Sequence, residues 1–168
     1  MTHGPVQPGQ QHAQQSAPES ERDKLLAEGD HQIALQDAPA AIAAFQKVLA
    51  KNPDDARANF GLAIASLLNH DADHAQELFE KLVSAPSSSG GDAVNSTSGS
   101  DPAVLAWSHV YLGRLHDFAE ERDQALTEYR AALAIAGAPE AARVAAQRGI
   151  DTPYNPRGTG GANEPQKP

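Results

Sequence analysis

Residues 124–139 read QALTEYRAALAIAGAP. A small residue, Ala125, stands four places before an aromatic, Tyr129. The apolar pair Ala132-Leu133 follows at three, and Pro139 lies beyond. Spacings of four and three put these side chains on one face of a helix, and proline closes the helical run. The same order occurs twice upstream. AAIAAFQKVLAKNP at 40–53 supplies Ala41, Phe45, Val48-Leu49 and Pro53, and HAQELFEKLVSAP at 74–86 supplies Ala75, Phe79, Leu82-Val83 and Pro86. Ala41 to Ala75 and Phe45 to Phe79 are both 34 residues apart, and a fixed period of that size marks an array of helical repeats.

Twelve residues before each block's small residue lies another, at Gly29, Ala63 and Gly113. Paired small residues let two antiparallel helices approach closely, and the aromatic fills the space between hairpins. The pattern resembles the tetratricopeptide repeat family, whose unit is a 34-residue helix–turn–helix. The family's leucine–glycine pair is intact at Leu112-Gly113, and reads Leu62-Ala63 and Glu28-Gly29 in the earlier units. Its first-helix tryptophan and tyrosine positions hold Leu25 and Gln32, Asn59 and Ser66, and His109 and His116, so that half departs from the family. The closing block, WSHVYLGRLHDFAEERDQALTEYRAAL with GIDTPYNP after it, is similar to the last unit of some bacterial repeat proteins.

The rest of the chain fits an all-α reading. A length of 168 residues suits one domain. Aromatics are 5 per cent, and the abundant alanine favours close-packed helices. A net charge of −9 disfavours nucleic acid and anionic membranes as partners. The absence of cysteine removes disulfides, thiolate–zinc sites and thiol nucleophiles. No apolar run reaches the roughly 20 residues of a membrane span, and no signal peptide is visible. The default expectation is therefore cytoplasmic, with the periplasm as the alternative.

Capping residues set the expected elements. Ser16 in a capping box, or Ser20, starts the first helix, which runs to about Leu35. Asp37 caps the second, with Pro39 in its first turn and an end at Asn52-Pro53. Asp54 or Asp55 caps a helix to about Leu68, and Asp71 caps one to about Ala85. Asp101-Pro102 opens a helix to about Ala119. A further helix spans about 123–136 with Gly137 at its C′ position, and a capping helix covers 139–149. The expected architecture is a right-handed solenoid of three hairpins, in units of about 20–55, 56–86 and 102–139, plus the capping helix. Residues 1–15 and 151–168 are expected to be disordered, Tyr154 alone standing out in the tail. SSSGGDAVNSTSGS at 87–100 reads as a flexible insertion. Ala75 to Ala125 spans 50 residues, one unit plus sixteen, which places the insertion between helices.

Function follows from the resemblance. Family geometry places on the concave face Asp23, Leu26, Asp30, Ile33 and Ala34, then Arg57, Phe60, Ile64, Leu67 and Leu68, then Trp107, Val110, Arg114, Asp117 and Phe118. The later two sets are apolar enough to form a groove for a partner helix or extended peptide. Phe60 and Trp107 are the expected anchors. Asp30 and Ile64 occupy places where some relatives hold a terminal carboxylate, so no such clamp is expected. Arg57 and Arg114 remain for acidic ligand groups, unless they pair with Asp30 or Asp117. The expected role is a non-catalytic adaptor or scaffold with no cofactor. The alternative is a self-assembling subunit whose groove is closed by a second copy or its own tail. His70 and His74, with Asp71 and Asp73 between, resemble a divalent metal site but straddle a turn, and Asp71 is already needed as a cap. His109 and His116 fall at core positions. The HExxH, GxSxG and phosphate-loop signatures are absent, so neither a metal site nor an enzyme is expected.

Overall fold

The computed structural model describes residues 20–84 and 101–155. Seven helices, and no strand among the described residues, follow in order: α1 Glu21–Ala34, α2 Ala38–Leu49, α3 Ala56–Leu68, α4 Ala72–Ser84, α5 Pro102–Phe118, α6 Arg122–Ala134 and α7 Glu140–Asp151. The expected disordered end at 1–15, the Ser16 capping box, the insertion at 87–100 and, of the tail expected to be disordered at 151–168, the part beyond 155 lie outside the described residues; 151–155 are described.

Side-chain caps start five helices as their residue types require. Ser20 accepts from the Asp23 amide, Asp37 from Ala40, Asp55 from Ala58 and Asp101 from Ala103. Asp71 Oδ1 accepts from the His74 amide at 3.1 Å and opens α4. Asp55 is fully buried and also receives the Arg22 guanidinium through Nε at 2.5 Å, so its charge is paired.

Each hairpin turns in one way. Gln36, His70 and Glu120 follow the ends of α1, α3 and α5 and adopt left-handed φ of 60°, 61° and 64°. In each case the next residue's amide reaches back to a carbonyl five before it: Asp37 to Gln32, Asp71 to Ser66 and Glu121 to His116. This closure satisfies the orphan carbonyls at a helix end. Its three occurrences fall in the same phase as the aromatic residues.

Three helix ends differ from expectation. α2 stops at Leu49 rather than near Pro53. α6 stops at Ala134 because Ile135 is already extended, so Gly137, at φ 77°, lies one residue past the C′ position. At the other extreme, α7 runs to Asp151, two residues longer than expected.

Consecutive helices pair as α1/α2, α3/α4 and α5/α6, and each second helix also packs against the next hairpin's first. The first helices lie side by side in the order α1, α3, α5, α7. Phe45, Phe79 and Tyr129 are all fully buried, one in each of three successive core clusters. No hairpin covers its own apolar side; the next one does, which makes the fold an all-α solenoid.

Two of those aromatics press on glycines. A methyl added at Gly29 would meet the Phe45 ring at 2.5 Å, and Gly61 across in α3 is as tight. Tyr129 is held in the same way between Gly113 of α5 and Gly149 of α7. Only a residue without Cβ fits these contacts.

Candidate functional groove

The junction of α3 and α5 is built differently. Phe79, fully buried, stacks on Tyr111 with centroids 5.3 Å apart and planes 1° from parallel. Phe60 meets both rings edge-on, at 5.8 Å from Phe79 and 6.1 Å from Tyr111. Trp107 lies 6.1 Å from Tyr111 with its plane tilted by 40°. Edge-to-face and offset stacks of this kind add to plain area burial. The rings hold α3 and α5 less closely together than α5 and α7 are held. A hollow of about 430 Å³ opens at the end of this junction. Leu67, Ala72, Tyr111, Leu115 and Phe118 line it, together with Arg114, His70 and Tyr154.

The expected groove residues divide into three groups. Leu67, Arg114 and Phe118 line the hollow, and Phe118 is 52% exposed. Phe60, Ile64 and Trp107 are partly buried, and serve the core clusters as much as the surface. Leu68 is partly buried at the end of α3. Val110 is a correction: it is fully buried with Ala125, Tyr129 and Ala146 and offers nothing to a ligand. Its counterpart in α3 is Phe60. The difference arises because α7, rich in alanine, closes on α5 where Val110 sits.

Of the charged positions, Arg57 donates to Asp30 at 2.5 Å, the internal pair weighed against ligand binding. Arg114 does not pair with Asp117. Its guanidinium lies 5.2 Å from the Tyr111 ring centroid and 5.3 Å from that of Tyr154. Asp117 belongs to an internal network instead. Its side chain is 1% exposed. It accepts from Arg122 Nη1 at 2.9 Å, from the Tyr129 hydroxyl at 2.9 Å and from the Tyr154 amide at 2.8 Å. Arg122 also donates to the carbonyls of Gly149 and Ile150, which ties α7 to α5. Burial first, and then the neighbouring Asp117 carboxylate, push the Tyr129 phenol far above its ordinary range.

In the first hairpin, Leu26 is core, Asp23 accepts from the Ser20 hydroxyl, and Ile33 packs on the first cluster. Three histidines are engaged locally. His74 Nδ1 lies 3.2 Å from Ser66 Oγ, His109 pairs with Glu128 at 2.7 Å and His116 with Glu121 at 2.8 Å. Among the described residues, no three His, Cys, Asp or Glu side chains gather around a common point. Sequence reasoning missed Tyr111 and Leu115. Both lie one place C-terminal to an expected position, and alternation within the YLGRLHDF run was their only signal.

The sequence from 26 to 90 matches the family model described as tetratricopeptide repeat. That matched stretch is similar to tetratricopeptide repeats. No curated protein matches it. The matched tetratricopeptide segment spans α1 to α4. α5 and α6 repeat its turn geometry and its buried small–aromatic pair, now as Gly113 and Tyr129. Tetratricopeptide repeats are in general protein-interaction modules. No helix among the described residues is long and apolar enough to cross a membrane.

Proposed function

We propose that this protein is a non-catalytic adaptor that binds a partner's helix or extended peptide in the groove between α3 and α5. One observation carries the reading: an apolar hollow of about 430 Å³ continuous with a cluster of four aromatic rings. Burial of a partner's apolar side chain there removes both surfaces from water. Leu67 and Phe118 would line the contact, and Phe60, Ile64 and Trp107 would form its floor. A single well-buried anchor of this type contributes on the order of 2 kcal/mol.

The variant is Leu67→Glu with Phe118→Glu, because both line the hollow; Leu67 also packs on the second core cluster, as Phe60 does, so helicity is measured alongside. Using the whole chain as bait, loss of a specific partner with unchanged helicity by circular dichroism is the expected result. Retention of that partner would remove the groove from the account.

The self-closed alternative gains support at one end, where Tyr154 lies against Arg114 and Asp117. Closure by a second copy predicts a mass that falls on dilution. Light scattering that gives a monomer at every concentration rules it out.

A further inference from the structure

The C-terminal end of the groove already holds an extended segment, and it is the chain's own. Thr152 leaves α7 in an extended conformation, φ −143° and ψ 125°. The segment then lies against α5. The Tyr154 amide donates to Asp117 Oδ2 at 2.8 Å, and the Tyr154 ring sits over the Arg114 guanidinium with 5.3 Å to its centroid. Tyr154 walls the larger hollow and also a smaller one of about 170 Å³ bounded by Tyr129, Ala145, Arg148 and Gly149. Arg114 lines both as well.

Three features receive this segment. Asp117 presents an acceptor to a backbone amide, and Arg122 and Tyr129 hold that carboxylate in place. Arg114 presents a cation to an aromatic face, an attraction that strengthens out of water. Tyr111, Leu115 and Phe118 supply an apolar wall beside it. None of these contacts depends on the segment being covalently attached. Nor does its departure strand a buried charge, since Asp117 keeps Arg122 and Tyr129. Tyr154 is 42% exposed, so it can leave without opening the core.

We propose that this is a recognition site for an aromatic residue on an extended partner segment, and that Tyr154 is its resident occupant, displaced when the partner binds. The proposal rests on the groove reading and names the kind of partner that its C-terminal end accepts. Binding in trans is then weakened by the fraction of chains whose strap is docked.

The test uses the acetylated, amidated tetrapeptide Thr-Pro-Tyr-Asn as probe, titrated into the full chain and followed by amide NMR. Replacement of Tyr154 by alanine vacates the site. The peptide should then shift the α5 amides around Arg114 and Asp117, with an affinity roughly tenfold above that for the unaltered chain. The matching peptide with alanine in place of tyrosine should not bind. Arg114→Met, added to Tyr154→Ala, should abolish the response. Equal binding to both chains overturns the proposal, as does no binding to the Tyr154→Ala chain or equal binding of the alanine peptide. The probe needs no natural partner, so the two readings separate. Peptide binding with partner capture unaffected by Leu67→Glu and Phe118→Glu keeps this site and removes the wider groove. The reverse pair of results removes this site alone.

Discussion

The junction between α5 and α7 and the junction between α3 and α5 use the same device with opposite results. In both, one aromatic from a second helix is driven between two first helices. Tyr129 meets glycine on either side, at Gly113 and Gly149, and the helices close over it. Phe79 meets Phe60 and Tyr111, and the helices stand off. Close packing leaves a hollow of only about 170 Å³ at the first junction, against about 430 Å³ at the second. At the second, Tyr111 of the ring cluster walls the larger hollow. A repeat array therefore sets where it is open by the size of the residues facing its aromatics.

Removing the aromatic should give the largest effect and should distinguish the junctions. Tyr129→Ala and Phe79→Ala both fall in the range of about 3–5 kcal/mol for a buried ring. Tyr129→Ala should lie at the upper end. Glycines cannot reach into the void it leaves, and Asp117 loses a donor. Phe79→Ala should lie lower, because Phe60 and Tyr111 can relax toward the space. Urea midpoints at unchanged slope measure this. An equal or larger loss for Phe79→Ala would break the comparison.

Filling the glycines comes next. Gly113→Ala and Gly149→Ala gain about 1 kcal/mol of helix propensity each. Overpacking against a ring that cannot move costs about 1–3 kcal/mol, so both should destabilise. Ala63 is the counterpart of Gly113 in the second unit, where a methyl already fits. Ala63→Gly should cost no more than about 1 kcal/mol plus a small void. A stabilising Gly149→Ala would show that the α5/α7 junction is looser than its contacts.

What the sequence revealed follows from how far each interaction reaches. Phe45, Phe79 and Tyr129, their small partners in the same hairpin and the caps at Asp37, Asp55, Asp71 and Asp101 all act within one unit, at fixed spacing. Gly61 and Gly149 lie in the next unit's helix, where no local period marks them. Val110 and Asp117 were placed in the groove because they hold the positions of Phe60 and Leu67. The capping helix closes on α5 with small residues where α5 meets α3 with Tyr111, and it takes both inward. Tyr154 stood out as an aromatic in a polar tail. Its docking needs Arg114 and Asp117, some forty residues away, and nothing in its neighbours announces that.

The smallest effect tests the network that locks the closed junction. Tyr129→Phe keeps the ring between its glycines and removes only the hydroxyl. Asp117 retains Arg122 and the Tyr154 amide, so the loss at neutral pH should be about 1.5 kcal/mol, the low end for a bond to a charged group. The sign of the pH dependence then follows. The folded phenol keeps its proton to higher pH than the unfolded phenol, whose ordinary value is 10.0. Above that value the folded chain binds more protons than the unfolded one, so this contribution is complete below pH 10.0 and falls as pH rises. The gap between the unaltered chain and Tyr129→Phe should therefore narrow in urea melts above pH 10.0. While both stay folded, their tyrosinate absorbance should be the same, because Tyr129 ionises only once the chain has opened. A gap that stays constant with pH, or excess tyrosinate in the folded unaltered chain, would show that Tyr129 is not sealed between α5 and α7, and the contrast with the open α3/α5 junction would lose its chemical basis.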